Sequence, residues 1–178
     1  MEEMVREVYM KRIILAVLLA IPVMAQAAVD KDPLANRLEV IAENGDAEVK
    51  FEAAWEYYTG GSVPKDYAKA AYWYEEAAKL GHDRSQLNLG SMYADGQGVK
   101  QDYARAAYWY EQAAKQGNPS AQSNLGAAYF KGQGVKANDG NGVYWSVKSA
   151  EQGFANAQYN LGMAYVYGWG VNRDLAKA

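Results

Sequence analysis

Apolar and small residues recur along the chain with the spacing of amphipathic helices. Ser85, Leu89 and Tyr93 stand four residues apart and fall on one helical face, and Gly96 and Gly98 end this pattern. A second helical face follows, formed by Tyr103, Ala106, Tyr110, Ala113 and Ala114. Residues 85–117 therefore predict helix A, a glycine loop and helix B, and no stretch of the chain has a convincing strand pattern.

Helix-end residues support these boundaries. Asp102 is a good N-cap for helix B, and Gly117 suits the C′ position behind it. Asn118 and Pro119 provide an N-cap and a first helical residue for the next helix A. Equivalent residues stand in the other units: Asp66, Asn138 and Asp174 for Asp102, and Gly81 and Gly153 for Gly117.

This unit repeats every 36 residues, as the spacing of Trp73, Trp109 and Trp145 shows. The stretches "DYAKAAYWYEEAAKLG" from Asp66 and "DYARAAYWYEQAAKQG" from Asp102 are identical at 13 of 16 positions. A fixed period of this size is typical of a solenoid, in which each unit packs on its neighbours. Small residues inside the helices predict close approach of helix B to helix A: Gly90, Gly126 and Gly162 on helix A, and Ala70, Ala106 and Gly142 on helix B. Large rings are expected to fill the space between layers, namely those of Tyr74, Tyr110, Trp73 and Trp109.

The N-terminal segment has the pattern of a secretory signal peptide. Lys11 and Arg12 precede an apolar run of signal-peptide length, and Ala25 and Ala27 fit an A-x-A cleavage site, so residues 1–27 are expected to be removed. The preceding acidic residues suit a signal peptide poorly, which indicates Met10 as a possible true start. A retained N-terminal anchor is the competing interpretation. We expect a periplasmic or secreted bacterial protein with no stable membrane anchor after cleavage.

Composition narrows the chemistry. The net charge is -3, which gives no support for a basic nucleic-acid-binding surface. The chain has no Cys, so disulfides and thiolate metal sites are excluded. It has 15 Tyr, many at repeated positions, which we interpret as packing residues.

The repeated pattern "AQ.NLG..Y..G.GV..D...A.YWY..AA..G" resembles the Sel-one-like repeat, a relative of the tetratricopeptide repeat. The resemblance implies an all-α, right-handed α/α superhelical solenoid and a role in protein–protein interaction, often as an adaptor or regulator. It covers nearly all of the chain after the signal peptide. It does not imply a particular partner.

The repeat pattern divides residues 28–178 into five parts. We expect an N-terminal capping helix at 32–45, with Asp32 as its cap, a divergent repeat 1 at 46–81, repeat 2 at 82–117, repeat 3 at 118–153 and a partial repeat 4 at 154–178. In repeat 3, Asp139, Gly140 and Gly142 predict a weak start of helix B. The last repeat stops just inside its helix B, which suggests either a longer native protein or an exposed end that binds something.

No catalytic or cofactor site is predicted. The "GQGV" loops at Gly96 and Gly132 and "GWGV" at Gly168 follow a helix rather than a strand, so we interpret them as turns and not as phosphate loops. His82 is the only His, and its place at a helix start predicts a solvent-exposed turn residue. With no second His and no Cys, we expect no enzyme, metal or cofactor.

Partner contacts are expected on helix A, which lines the concave surface of tetratricopeptide-like stacks. Asn88, Asn124 and Asn160 repeat there and could hold a peptide backbone or bond between helices. An alternative for the exposed aromatics is packing in the groove wall or against a further repeat. The leading hypothesis is an exported scaffold that binds a protein or peptide; the alternative is a module for cell-wall glycan (peptidoglycan). The candidate contacts are Phe51, Trp55, Tyr58, Arg84, Leu87, Phe130, Lys131, Tyr159, Met163 and Tyr167.

Overall fold

The computed structural model of the protein describes residues 33–178, and within these residues it contains helices and no strand. Helices adjacent in sequence pack against each other, so the chain forms an α/α superhelical solenoid, as predicted. The signal-peptide pattern and Asp32 lie outside the described residues. The helices are α1 Pro33–Glu43, α2 Ala47–Thr59, α3 Tyr67–Lys79, α4 Asp83–Asp95, α5 Tyr103–Lys115, α6 Pro119–Lys131, α7 Asp139–Ala150 and α8 Ala155–Tyr167.

Each layer of the stack is an antiparallel pair of helices. The A helices are α2, α4, α6 and α8, and the B helices are α3, α5 and α7. Helix α1 precedes the first pair and buries Leu38 and Ala42 completely. Helix α7 is regular from Asp139 onward, so the glycines near its start do not break it.

The predicted helix ends are confirmed. The carboxylate of Asp102 accepts hydrogen bonds from the backbone N–H groups of Ala104 and Arg105, at 3.0 Å each. Asn118 accepts from Ala121 N–H ahead of Pro119, which is the first residue of α6. Each of these bonds satisfies a donor that has no partner inside its helix. The equivalent caps Asp66 and Asn138 bond in the same way.

The second glycine of each loop lies against the preceding layer. Gly134 has a φ of 73°, in the left-handed region, and a Cβ there would overlap the backbone of Tyr103. A Cβ on Gly98 would overlap the backbone of Tyr67 in the same way. The repeated G-x-G is therefore a contact between layers, which explains its fixed position in the repeat.

Between helices A and B, small residues allow the close approach that the sequence predicts. A Cβ on Gly90 would lie 2.7 Å from the ring of Tyr110 and 3.2 Å from the carbonyl oxygen of Ala106. Tyr74 and Trp73 are almost completely buried, which confirms them as packing residues. Gly90 therefore lets the ring of Tyr110 fill its layer, whereas in repeat 1 the equivalent small residue is Ala54.

A buried row of side-chain amides also joins the layers, and the sequence analysis did not anticipate it. Gln86 donates to the carbonyl oxygen of Ala78, and Gln122 donates to that of Ala114, one repeat further on. In the first layer the equivalent residue is Lys50, whose Nζ donates to the carbonyl oxygen of Ala42 at 2.6 Å. These bonds satisfy carbonyl groups at the ends of the B-type helices.

The prediction that His82 is a solvent-exposed turn residue was wrong. Its side chain is only 13% exposed and caps α4, because Nδ1 accepts the backbone N–H of Ser85 at 3.2 Å. With Nδ1 as acceptor, Nε2–H donates to the carboxylate of Glu48 at 3.0 Å. The imidazole ring also packs 4.8 Å from the ring of Phe51, so His82 ties the first layer to the second.

Candidate functional site

The A helices present one repeated position to the face between them. Counting in steps of 36, this position holds Trp55, Ser91, Ala127 and Met163. The side chains differ in size from layer to layer, whereas the neighbouring core positions Ala53, Leu89 and Leu125 are buried in their layers. This face therefore combines a constant scaffold with variable contacts.

A small polar pocket, which we call the inner pocket, lies on this face between α4, α5 and α6. Its volume is about 160 Å³. Burial raises the pKa of Tyr110 in its wall, so this phenol stays neutral, and its hydroxyl lies 3.3 Å from Ser91 Oγ. The lining residues are Ala94, Tyr103, Ala106, Ala107, Tyr110, Asn124, Ala127, Ala128 and Gln133.

A larger pocket, which we call the aromatic pocket, lies between α6 and α8. Its volume is about 460 Å³. Four of the predicted contact residues meet in its wall, together with a tryptophan from the loop after α8. The lining residues are Ala127, Phe130, Lys131, Asp139, Tyr159, Asn160, Met163 and Trp169.

The two pockets occupy the same place in consecutive repeats. Five lining positions correspond at a spacing of 36 residues, and Ala127 lines both pockets, so it separates one from the next. In the first layer, two aromatic rings meet at this place, since Tyr58 packs edge-on against Tyr67 at 5.3 Å. The corresponding pairs are Ala94 and Phe130, Tyr103 and Asp139, Asn124 and Asn160, Ala127 and Met163, and Gln133 and Trp169.

Differences between repeats 2 and 3 account for the larger size of the aromatic pocket. Asp139 stands where the inner pocket has the ring of Tyr103, and Ser146 stands where it has the ring of Tyr110. The ring of Phe130 instead comes from the A helix and lies over Gly142, where a Cβ would be 2.6 Å from it. The floor of the pocket is therefore aromatic, and the space beside it is open.

Exposed aromatic rings surround the aromatic pocket. Trp169 lies with its ring centroid 6.0 Å from that of Phe130 and stacks on Tyr167 at 5.1 Å. Tyr159 and Tyr167 are 67% and 59% exposed. Exposed aromatic surface of this kind is typical of binding sites.

The predicted contacts near the N-terminus lie in two environments. Trp55 is exposed and stacks on Tyr58 at 6.1 Å, which leaves both on the A-helix face. Phe51 is only 1% exposed, because the guanidinium of Arg84 covers its ring at 4.2 Å. Leu87 is half-buried against the core. Phe51 is therefore a core residue in this structure, whereas the predicted contact Arg84, which lies over its ring, is exposed.

Sequence reasoning missed Trp169 and Asp139 as lining residues. Their signal is a departure from the repeat, since Trp169 replaces the loop glutamine and Asp139 replaces a tyrosine. Within residues 33–178 no group of three or more His, Cys, Asp or Glu is placed to hold a metal ion. The helices in this part of the chain are also too short or too polar to cross a bilayer.

The Sel1 repeat model matches residues 47–82, 83–118, 119–154 and 155–178, which is most of the chain. The chain belongs to the Sel1 repeat family. Members of this family generally mediate protein–protein interactions and are typically not catalytic. No curated protein sequence matches the chain.

Solved structures of bacterial proteins share the fold. The antigen c5321 of uropathogenic Escherichia coli, described as protective and as having an SLR fold, is 40% identical with a TM-score of 0.75; the match covers 80% of this chain and 31% of that one. A Sel1 repeat protein of Oxalobacter formigenes is 29% identical (TM-score 0.74; 79% and 58% covered). Cysteine rich protein B of Helicobacter pylori, at 21% identity, shares the fold (TM-score 0.56; 75% and 97% covered). The chain thus spans less than two thirds of the first two relatives.

Proposed function

We propose that this Sel1 repeat protein is an exported, non-catalytic scaffold that binds an extended segment of a partner protein along its A-helix face. The observation that carries the proposal is the repetition of one pocket position in consecutive layers, with Ala127 shared between the two pockets. A linear ligand can occupy pockets in such a row, because its side chains also repeat along one direction. The fold family's general role supports a protein as the ligand.

The polar groups on the same face suit a peptide backbone. The half-buried amide of Asn160 lines the aromatic pocket and has no hydrogen-bond partner among residues 33–178. A side-chain amide can donate from its NH2 group to a peptide carbonyl and accept a peptide N–H at its oxygen. The rim carries one cation and one anion, Lys131 and Asp139, so no strong charge preference is expected.

Export is part of the proposal and is supported by the N-terminal pattern. A basic start, an apolar run and the A-x-A sequence at Ala25 and Ala27 are typical of a secretory signal peptide. The periplasm or the exterior of a bacterial cell is therefore where we expect the partner. Cell-wall glycan is the alternative ligand for exposed aromatics, and no feature of the fold or family favours it.

Crosslinking in intact cells tests the proposal. The full chain, tagged at its C-terminus, is compared with a variant in which Trp55, Tyr159 and Trp169 on the A-helix face are changed to Ala. The matched control changes Tyr72, Tyr108 and Tyr144, which are 55%, 53% and 52% exposed on the B helices. We expect one discrete protein to be retained by the parent and the control and lost from the A-face variant.

Two results would contradict this proposal. Equal retention by the A-face variant would place binding elsewhere on the solenoid. Sedimentation of the parent with purified peptidoglycan, lost in the A-face variant, would favour the glycan alternative instead.

A further inference from the structure

We infer that the aromatic pocket is a specificity pocket for one aromatic side chain, Phe, Tyr or Trp, presented by the bound protein segment. The inference rests on the proposed function and identifies the chemistry of its ligand. It begins from the comparison of the aromatic pocket with the inner pocket one repeat earlier, because the two share a backbone framework and differ in side chains.

The space in the aromatic pocket corresponds to aromatic side chains that the repeat normally supplies. Repeat 2 places Tyr103 and Tyr110 at the two B-helix positions on this face, and both line the inner pocket. Repeat 3 has Asp139 and Ser146 there, and Phe130 restores one ring from the A helix. Trp169 adds a second ring from the loop after α8, so these two rings stand at the edges of the pocket and not at the two B-helix positions. The space between these edges is open, and a ligand side chain of the same class as the absent tyrosines fits it.

The size and lining of the pocket agree with an aromatic occupant. A cavity of about 150 Å³ lined by apolar side chains suffices to bind benzene. The aromatic pocket measures about 460 Å³ and remains open at its rim, which leaves room for the ring and for part of the backbone that carries it. Its apolar wall is formed by Phe130, Met163 and Trp169.

The arrangement of these three side chains favours a planar ring over an aliphatic group. The rings of Phe130 and Trp169 are tilted by 44° at 6.0 Å, so a planar ligand ring that stacks on one of them makes a tilted contact with the other. Met163 completes the wall with a flexible thioether, which makes favourable contacts with aromatic rings. Trp169 is held in place by stacking on Tyr167 with an interplanar angle of 23°.

Two side chains of opposite charge lie beside the pocket, Lys131 and Asp139. Lys131 and Asp139 have no ion-pair partner in the described part of the chain. A neutral side chain inserts into the pocket without burying a charge, and charged ligand side chains beside it, of either sign, can pair with Lys131 or Asp139 at the rim. An acidic or basic side chain would have to desolvate its charge against Phe130 and Trp169.

A methyl NMR titration tests the inference. Met92 and Met163 are the methionines of residues 33–178, and Met92 is 1% exposed in the core, so it serves as an internal reference. The full chain, labelled with ¹³C at the methionine methyl groups, is titrated with N-acetyl-L-tyrosinamide and, as a matched probe, with N-acetyl-L-alaninamide. The Met163 signal is assigned from a Met163→Leu variant.

We expect the tyrosine amide to shift the Met163 signal by its ring current. The shift should saturate with a dissociation constant on the order of 1 mM, in the range expected for a fragment of this size. The alanine amide and the Met92 signal should show no comparable change. Trp169→Gln introduces the residue found at the equivalent loop position, Gln133. This variant should bind the tyrosine amide at least tenfold more weakly, with an unchanged midpoint of thermal unfolding.

Three outcomes would overturn the inference. The first is an equal shift of the Met163 signal by both amides. The second is a Met163 shift produced by chitobiose but not by the tyrosine amide. The third is a Met163 shift that depends only on protein concentration, which would make a second copy of the chain the occupant. If any of these occurs while the crosslinking partner is still lost in the A-face variant, the scaffold function stands and only the aromatic specificity fails. If the tyrosine amide binds as expected but crosslinking retains no partner, the aromatic specificity stands and the scaffold function fails.

Discussion

The ring of Phe130 lies against the backbone of Gly142, at the place where a side chain on that glycine would begin. A Cβ at position 142 would be 2.6 Å from two carbon atoms of the ring. This contact lets an A-helix ring cover the position that a B-helix tyrosine covers in repeats 1 and 2. Gly142 therefore shapes the aromatic pocket by leaving room for the ring of Phe130, although the glycine itself is not a lining residue.

Gly142→Ala should push the ring of Phe130 out of its place. We expect a loss in the free energy of unfolding of about 1–2 kcal/mol, since overpacking outweighs the gain in helix propensity. The control is Gly140→Ala on the same helix, where the nearest atom is 3.4 Å away and a small gain is expected. Urea unfolding followed by circular dichroism measures both variants, and equal stability of the two would contradict the steric argument.

Ser146 and Ser149 differ in hydrogen bonding although both are completely buried on α7. Ser146 Oγ has no hydrogen-bond partner within residues 33–178, whereas Ser149 Oγ donates to the carbonyl oxygen of Pro119 at 2.7 Å. Ser146→Ala removes an unsatisfied polar group and should leave stability unchanged or raise it by up to about 1 kcal/mol. Ser149→Ala should lower it by about 1–2 kcal/mol, and the same urea experiment decides between the two.

The regular part of the fold was predictable because each layer repeats the same packing problem. The caps at Asp102 and Asn118 and the close approach at Gly90 follow from local sequence signals that occur in several copies. The family resemblance rests on the same positions. A 36-residue period in the sequence therefore corresponds directly to one layer in the structure.

The candidate site was only partly predictable, because its pockets depend on where the repeats differ. Phe51, Leu87 and Tyr159 occupy equivalent positions on helix A, yet Phe51 is covered by Arg84 and Tyr159 is exposed. Trp169 lies in a loop that the sequence marks only as a turn, and its approach to Phe130 requires the three-dimensional stack. Helical periodicity places a residue on a face but does not indicate what the next layer lays over it.

Lys50 provides a test of the amide row. Its Nζ donates to the carbonyl oxygens of Ala42 and Glu43 at the end of α1, where the other layers use glutamine. Lys50→Ala removes a buried donor from both carbonyls, of which that of Ala42 keeps the backbone N–H of Gly45, and should cost about 2 kcal/mol. Lys50→Gln installs the residue of the later repeats and should retain more than half of that stability. Thermal unfolding compares the three proteins, and an equal loss in both variants would show that the amide row does not extend to α1.

Glu39 provides a pH-dependent contact between α1 and the first layer. Its carboxylate accepts from Lys69 Nζ at 2.6 Å and from the hydroxyl of Tyr57 at 2.9 Å. Partial burial raises the pKa of Glu39, but the bonds from Lys69 and Tyr57 outweigh it, so the pKa lies below the ordinary glutamate value. The stability from this contact is therefore fully present above that ordinary value and is lost as the pH falls through the lowered pKa.

A double-mutant cycle between Glu39→Gln and Lys69→Met isolates this contact. At pH 7 we expect a coupling energy below about 1 kcal/mol, since the pair is partly exposed and screened by solvent. On acidification below pH 4 the coupling should decrease, because protonation of Glu39 removes the charge that Lys69 binds. The cycle is measured by urea unfolding at several pH values. A coupling energy that stays constant from pH 7 to pH 3 would mean that a neutral hydrogen bond, and not the ion pair, joins α1 to the solenoid.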